Sequence, residues 1–155
     1  MNMKRSNILF ALAFVLLSVV SVSCYDEGGS RSNYDYRIIR SWQLTHCYLN
    51  GTEIDSTNTT TYYANDPGSY YYIYADHVLN VMTYHNGLVR QSTAGFWYFP
   101  EKDPDHLVME FSLLGKNYKY TAVVKKLTHK ELFYEYDDAN GNHWRLEMNN
   151  RSSYY

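Results

Sequence analysis

After residue 40, apolar and polar residues alternate along most of the chain. Leu107, Met109, Phe111 and Leu113 occupy every second position of one stretch, and Leu132, Tyr134 and Tyr136 do so in another. Trp144, Leu146 and Met148 repeat the pattern near the end. A period of two is that of a β-strand with one face buried and one in water. Turn signals separate these stretches: Asn50-Gly51, Asp76-His77, His85-Asn86-Gly87, the two prolines of 100–105, Gly115-Lys116-Asn117, Leu127-Thr128-His129-Lys130 and Asp138-Ala139-Asn140-Gly141. Asn-Gly supplies the positive φ angles that tight hairpins need. The pattern predicts eight strands, over 42–49, 69–75, 78–84, 88–99, 106–114, 118–126, 131–137 and 142–149, with a bend in the fourth at Gly95. A short helical turn over 34–41 leads in, and Trp42 heads the first strand. The polar stretch 52–68 is the longest loop, with room for a short paired strand over 60–64.

Short strands at even spacing indicate an all-β domain, either an antiparallel up-and-down barrel or a sandwich. The barrel is the expectation, because closure removes unpaired strand edges. Eight strands enclose an interior that side chains can fill or that holds one small ligand.

The first 23 residues do not fit this scheme. Lys4 and Arg5 precede an apolar run of 15 residues, Ile8 to Val22, interrupted only by Ser18 and Ser21. A membrane span needs about 20 residues, whereas a signal-peptide core is shorter. Ser21-Val22-Ser23-Cys24 resembles a bacterial lipoprotein signal, with Ser21 where leucine is usual. The resemblance implies that Cys24 carries a diacylglycerol and becomes the first mature residue. It implies an outer-membrane protein on the periplasmic face or the cell surface, held by its lipid. The other reading is ordinary secretory cleavage after Ser23, which small residues at 21 and 23 also suit. Residues 24–33 read as a flexible tether, 34–150 as the folded domain and 151–155 as a tail. Asp26-Glu27 resembles the surface-export signal of Bacteroidetes lipoproteins; otherwise the pair is part of a solvated linker.

Composition sharpens the β assignment. All 18 tyrosines follow residue 24, and aromatic rings favour pleated, half-buried surfaces. Removing residues 1–23 leaves 12 basic residues against 16 acidic, a net charge of −4. No basic run is longer than Lys125-Lys126, so the footprint of a nucleic-acid binder is missing. With Cys24 acylated, Cys47 has no partner in the chain and is expected to pack as a small hydrophobe.

Three segments carry a further likeness: Ile39-Arg40-Ser41-Trp42-Gln43-Leu44, Gly95-Phe96-Trp97-Tyr98, and Lys126-Leu127-Thr128 with Leu132. Over roughly residues 36–149 the chain resembles the lipocalin-like domains of Bacteroidetes lipoproteins, within the wider lipocalin architecture. It departs in holding Arg40 where lipocalins place a glycine two residues before the first-strand tryptophan. The resemblance implies a small apolar or amphipathic ligand in the barrel mouth, with Tyr71, Trp97, Tyr118, Tyr120 and Tyr134 as wall residues. Such a pocket has a volume of about 300 Å³ or more. It also implies a late arginine stacked on the tryptophan, for which Arg145 is the nearest candidate, although its register points it outward.

Reactive chemistry is sparse. His46, His77, His85, His106, His129 and His143 show no helical or strand spacing that would gather them on a metal. His46 and Cys47 are adjacent and therefore face opposite sides of a strand. There is no nucleophile elbow and no phosphate-cradling loop. The reading is a non-catalytic protein without cofactor or metal. The alternative to a ligand-binding barrel is an interaction module with a filled core, binding an envelope protein or glycan through its outer face. In the second strand Tyr71 and Ile73 share one face and Tyr70, Tyr72 and Tyr74 the other, so tyrosine must also lie outside. Clustered tyrosine beside a long polar loop suits recognition.

Overall fold

A computed structural model describes residues 36–54, 63–85, 88–100 and 105–151. The signal segment with Cys24, the tether, the tail beyond residue 151 and the Asn86-Gly87 turn lie outside the described residues. Ten strands follow one another: β1 (Ser41–Leu49), β2 (Thr52–Glu53), β3 (Tyr70–Ile73), β4 (Val78–His85), β5 (Leu88–Gln91), β6 (Gly95–Tyr98), β7 (His106–Leu113), β8 (Lys116–Leu127), β9 (Glu131–Asp137) and β10 (His143–Asn150). All pairings are antiparallel. Eight strands close a ring, in the order β1, β3, β4, β6, β7, β8, β9, β10 and back to β1. The domain is a closed up-and-down barrel with very little helix; β2 and β5 are short flaps on β1 and β4.

The alternation read from the sequence becomes the two faces of the wall. Leu107, Met109, Phe111 and Leu113 of β7 point into the core, as do Leu132, Tyr134 and Tyr136 of β9 and Trp144, Leu146 and Met148 of β10. In β3, Tyr71 and Ile73 are buried while Tyr70 and Tyr72 are half-exposed. Outside, Tyr72 and Tyr84 flank Tyr70, whose ring stacks on the first and meets the second edge-on.

One end of the barrel is capped. Residues 36–38 form a helical turn whose Ile38 is fully buried. The Trp42 indole donates to the Ile38 carbonyl at 2.8 Å. On the same end Trp97 donates to the Tyr74 carbonyl at 2.9 Å and lies 5.1 Å from the His77 ring. Each indole thus satisfies its one donor while burying a large apolar ring, which keeps the cost of a buried polar atom from offsetting the gain.

Several boundaries differ from the sequence expectation. The fourth predicted strand is split into β5 and β6. Ser92 accepts the Val81 N–H on its hydroxyl, 2.7 Å, while its own N–H reaches the Val81 carbonyl, 2.7 Å. A side-chain oxygen thereby replaces a backbone one and interrupts the ladder. The break falls at 92–94, before the bend expected at Gly95, which opens β6 where a Cβ would run into the Glu110 carbonyl oxygen and the Phe111 Cβ. The β7–β8 connection is the two-residue turn Leu114-Gly115, both at positive φ (54° and 74°), rather than Gly115-Lys116-Asn117. Within the stretch expected to hold a strand at 60–64, only 63 and 64 are described, and they belong to a 3₁₀ turn, Tyr63–Asn65. The flap on β1 is β2 instead.

Candidate functional site

The end opposite the cap is built from the end of β1, the start of β8, the end of β9, the start of β10 and the 3₁₀ turn. There the barrel opens into a cleft of about 200 Å³. Its walls are Tyr118, Tyr120, Tyr136 and Trp144, and Asn65 reaches it from the 3₁₀ turn. Tyr120 and Tyr136 stack at 3.9 Å with planes 8° apart, and Trp144 lies within 14° of parallel to Tyr136. Tyr118 stacks on Phe111 at 4.8 Å. Lys116 stands 5.2 Å from the centre of the Tyr118 ring, a cation–π contact on the rim.

Two polar groups set the electrostatics. Asp138, on the rim, accepts from the Trp144 indole at 3.0 Å, the Asn142 side chain, and the backbone N–H groups of Asn140 and Asn142. Burial works against the carboxylate, but these hydrogen bonds outweigh it and bring its pKa down to about 2. Asn65 is 3% exposed. Its Nδ2 donates to the Tyr136 hydroxyl at 2.7 Å, while its buried Oδ1 accepts from no described residue. The turn that carries Asn65 is pinned from below, the Tyr71 hydroxyl donating to the Ala64 carbonyl at 2.9 Å.

Beneath the cleft lie the buried side chains of Tyr71, Tyr134 and Met109. Tyr120 shares a hydrogen bond with Tyr134, 3.2 Å, and touches the Met109 sulfur. Burial, first, and the neighbouring phenols push the ionisation of Tyr71 and Tyr134 well up, and burial likewise raises Tyr120 and Tyr136. Of the wall residues expected from the sequence, Tyr118 and Tyr120 line the cleft. Tyr71 and Tyr134 lie deeper in the core, and Trp97 belongs to the capped end. Asn65, Tyr136 and Trp144 complete the site and were not among the expected residues. Arg145 does not stack on a buried tryptophan. It points outward, 5.4 Å from the Tyr48 ring and paired with Glu147.

A second hollow, about 400 Å³, opens on the flank where β6 leaves β5, beside Thr93, Phe96, Glu110 and Asn117. Its rim is mostly exposed. Cys47 is fully buried, and burial, with the Asp66 carboxylate second, lifts its thiol to about 12; it is inert packing. His46 lies on the opposite face, 2.7 Å from Glu53. Among the described residues no group of three His, Cys, Asp or Glu side chains is placed to hold a metal, and no helix is long and apolar enough to cross a membrane. No protein-family model, curated protein or solved structure matches the chain.

Proposed function

We propose that this chain is a lipid-anchored envelope lipoprotein whose lipocalin-like barrel binds a small apolar or amphipathic ligand at its open end, without catalysis. The observation that carries the reading is the aromatic cleft of about 200 Å³ at that end. It is smaller than the roughly 300 Å³ typical of ligand pockets. With Tyr71, Tyr134 and Met109 buried beneath it, the cleft receives its ligand at the mouth. The anchor fits this arrangement. The chain joins the barrel at the capped end, so a tether from Cys24 leaves the mouth at the far end of the nine-residue β1, about 30 Å away at strand rise. An outer-membrane lipoprotein held this way presents its cleft to the aqueous side, periplasmic or extracellular. Extraction of the native protein from membranes followed by mass spectrometry tests both parts. An acylated Cys24 and a co-purifying small molecule, lost in Trp144→Ala, are the expected results. An unmodified Cys24 and an empty protein would overturn the reading.

A second reading rests on the outer face. Tyr74, Tyr84, Phe96 and Tyr98 are 45–60% exposed beside Tyr70 and Tyr72, an aromatic surface of the kind that docks a protein or glycan. On this reading, capture of an envelope partner weakens in Tyr72→Ala and Tyr74→Ala. A partner held equally well by both variants would exclude it.

A further inference from the structure

We infer that the mouth cleft selects small flat molecules carrying an N–H or O–H donor on their inner edge; this rests on the ligand-binding reading above and narrows it. The first ground is Asn65 Oδ1. An acceptor that is buried and unmet costs about 1–3 kcal/mol, and native proteins leave few of them. Here the acceptor belongs to a residue that lines the cleft, and its position is fixed on both sides. Its own Nδ2 is committed to Tyr136, and the preceding carbonyl is held by Tyr71. Oδ1 is sealed from solvent, so a ligand donor meets it only by displacing the atoms that cover it, and then gains a hydrogen bond that no described residue supplies.

The second ground is the shape of the walls. Tyr120 and Tyr136 are stacked on each other and Trp144 lies nearly parallel to Tyr136, so the rings form one stacked column that a planar body extends and a puckered or branched one does not. A cleft of about 200 Å³ equals the share of about seven waters in the liquid. That is room for one bicyclic ring system. The rim adds little competition, because Asp138 already receives four hydrogen bonds. Asn65 Oδ1, by contrast, accepts from no described residue.

Indole and benzofuran are matched in size and shape and differ in having N–H or O at one ring position, so they isolate the donor. Equilibrium dialysis with the full mature chain gives the affinities, and the NMR signal of the Trp144 indole N–H shows whether the probe sits in the cleft. The expected result is that indole binds at least tenfold more tightly than benzofuran, that the preference falls below twofold in Asn65→Ala, and that Asn65→Asp, which keeps an acceptor, restores it. The wild-type ratio needs no variant, so a poorly folded Asn65→Ala does not block the test. Equal binding of the two probes, a preference for benzofuran, or a preference that survives Asn65→Ala would overturn the inference. Decanoate shifting the Trp144 signal where neither ring compound does would overturn it too, while leaving the ligand-binding reading intact. Failure of all three probes to bind would take down both.

Discussion

The two ends of the barrel use the same kinds of residue to opposite effect. At the cap, Trp42 and Trp97 each give their indole proton to a backbone carbonyl, and the rings are 0–1% exposed. At the mouth, Trp144 gives its proton to a carboxylate on a turn, and a neighbouring side chain keeps a buried acceptor without a described donor. Backbone carbonyls are fixed by the fold and do not titrate. A rim carboxylate does titrate, and an unmet buried acceptor costs stability. The difference separates groups that hold the barrel shut from groups held ready at its opening.

The comparison breaks most sharply at Trp42. Trp42→Ala removes a fully buried ring from the capped end and leaves the Ile38 carbonyl without its indole donor. The expected loss is about 3–5 kcal/mol, read as a lower urea midpoint with little change in slope. A loss below about 1 kcal/mol would mean that the cap is not what holds the barrel closed.

Alkali should act next most strongly, through the tyrosines between the two ends. Folding raises the ionisation of Tyr71, Tyr120, Tyr134 and Tyr136 above the ordinary value of 10, chiefly by burial. The stability this linkage contributes is full below pH 10 and is lost as pH rises beyond it. Tyrosinate absorbance from these residues is expected to appear only together with loss of the near-ultraviolet dichroism. Ionisation of all the tyrosines while that dichroism stays intact would contradict the packed core.

How much of this was legible beforehand depends on what a period of two can encode. Alternation fixes which face a residue takes, so the inward sets of β7, β9 and β10 and the divided tyrosines of β3 follow from the sequence. Alternation says nothing about depth along the barrel axis. Tyr71, Tyr134 and Trp97 face inward as firmly as Tyr120, yet they lie below the mouth or at the other end. Tyr136 and Trp144 carried a usable signal, since both are inward positions next to the 138–141 turn and must therefore sit at a rim. Asn65 carried none, being one polar residue in a polar stretch whose position depends on the hydrogen bond from Tyr71 to the neighbouring Ala64 and on Tyr136, 71 residues along the chain. The Ser92 interruption was hidden for a related reason, because a side-chain oxygen replaces a backbone one only once β4 lies beside it.

A smaller effect is expected at Asn65. Asn65→Leu removes the unmet acceptor together with its desolvation cost, and the Tyr136 hydroxyl loses the Asn65 donor. These changes oppose each other, so stability should stay within about 1 kcal/mol of the parent while indole binding is lost. A destabilisation as large as that of Trp42→Ala would make Asn65 part of the frame rather than of the site.

The smallest effect is local and depends on acid. Folding depresses the Asp138 pKa from 3.8 to about 2, so its contribution is present above pH 4 and disappears as pH falls toward 2. The carboxylate is near solvent, so screening keeps the global effect slight, and the change should appear first at its own donors. Between pH 4 and 2 the Trp144 indole N–H signal is expected to move and to exchange faster with water. The Trp42 and Trp97 signals should hold, because the carbonyls they bond to have no proton to gain. If all three indoles shifted together, acid would be loosening the whole barrel and the two ends would not be independent. If Trp144 stayed still, its bond to Asp138 would not be what holds that wall of the mouth, and the wall would owe its position to the Tyr136 stack alone.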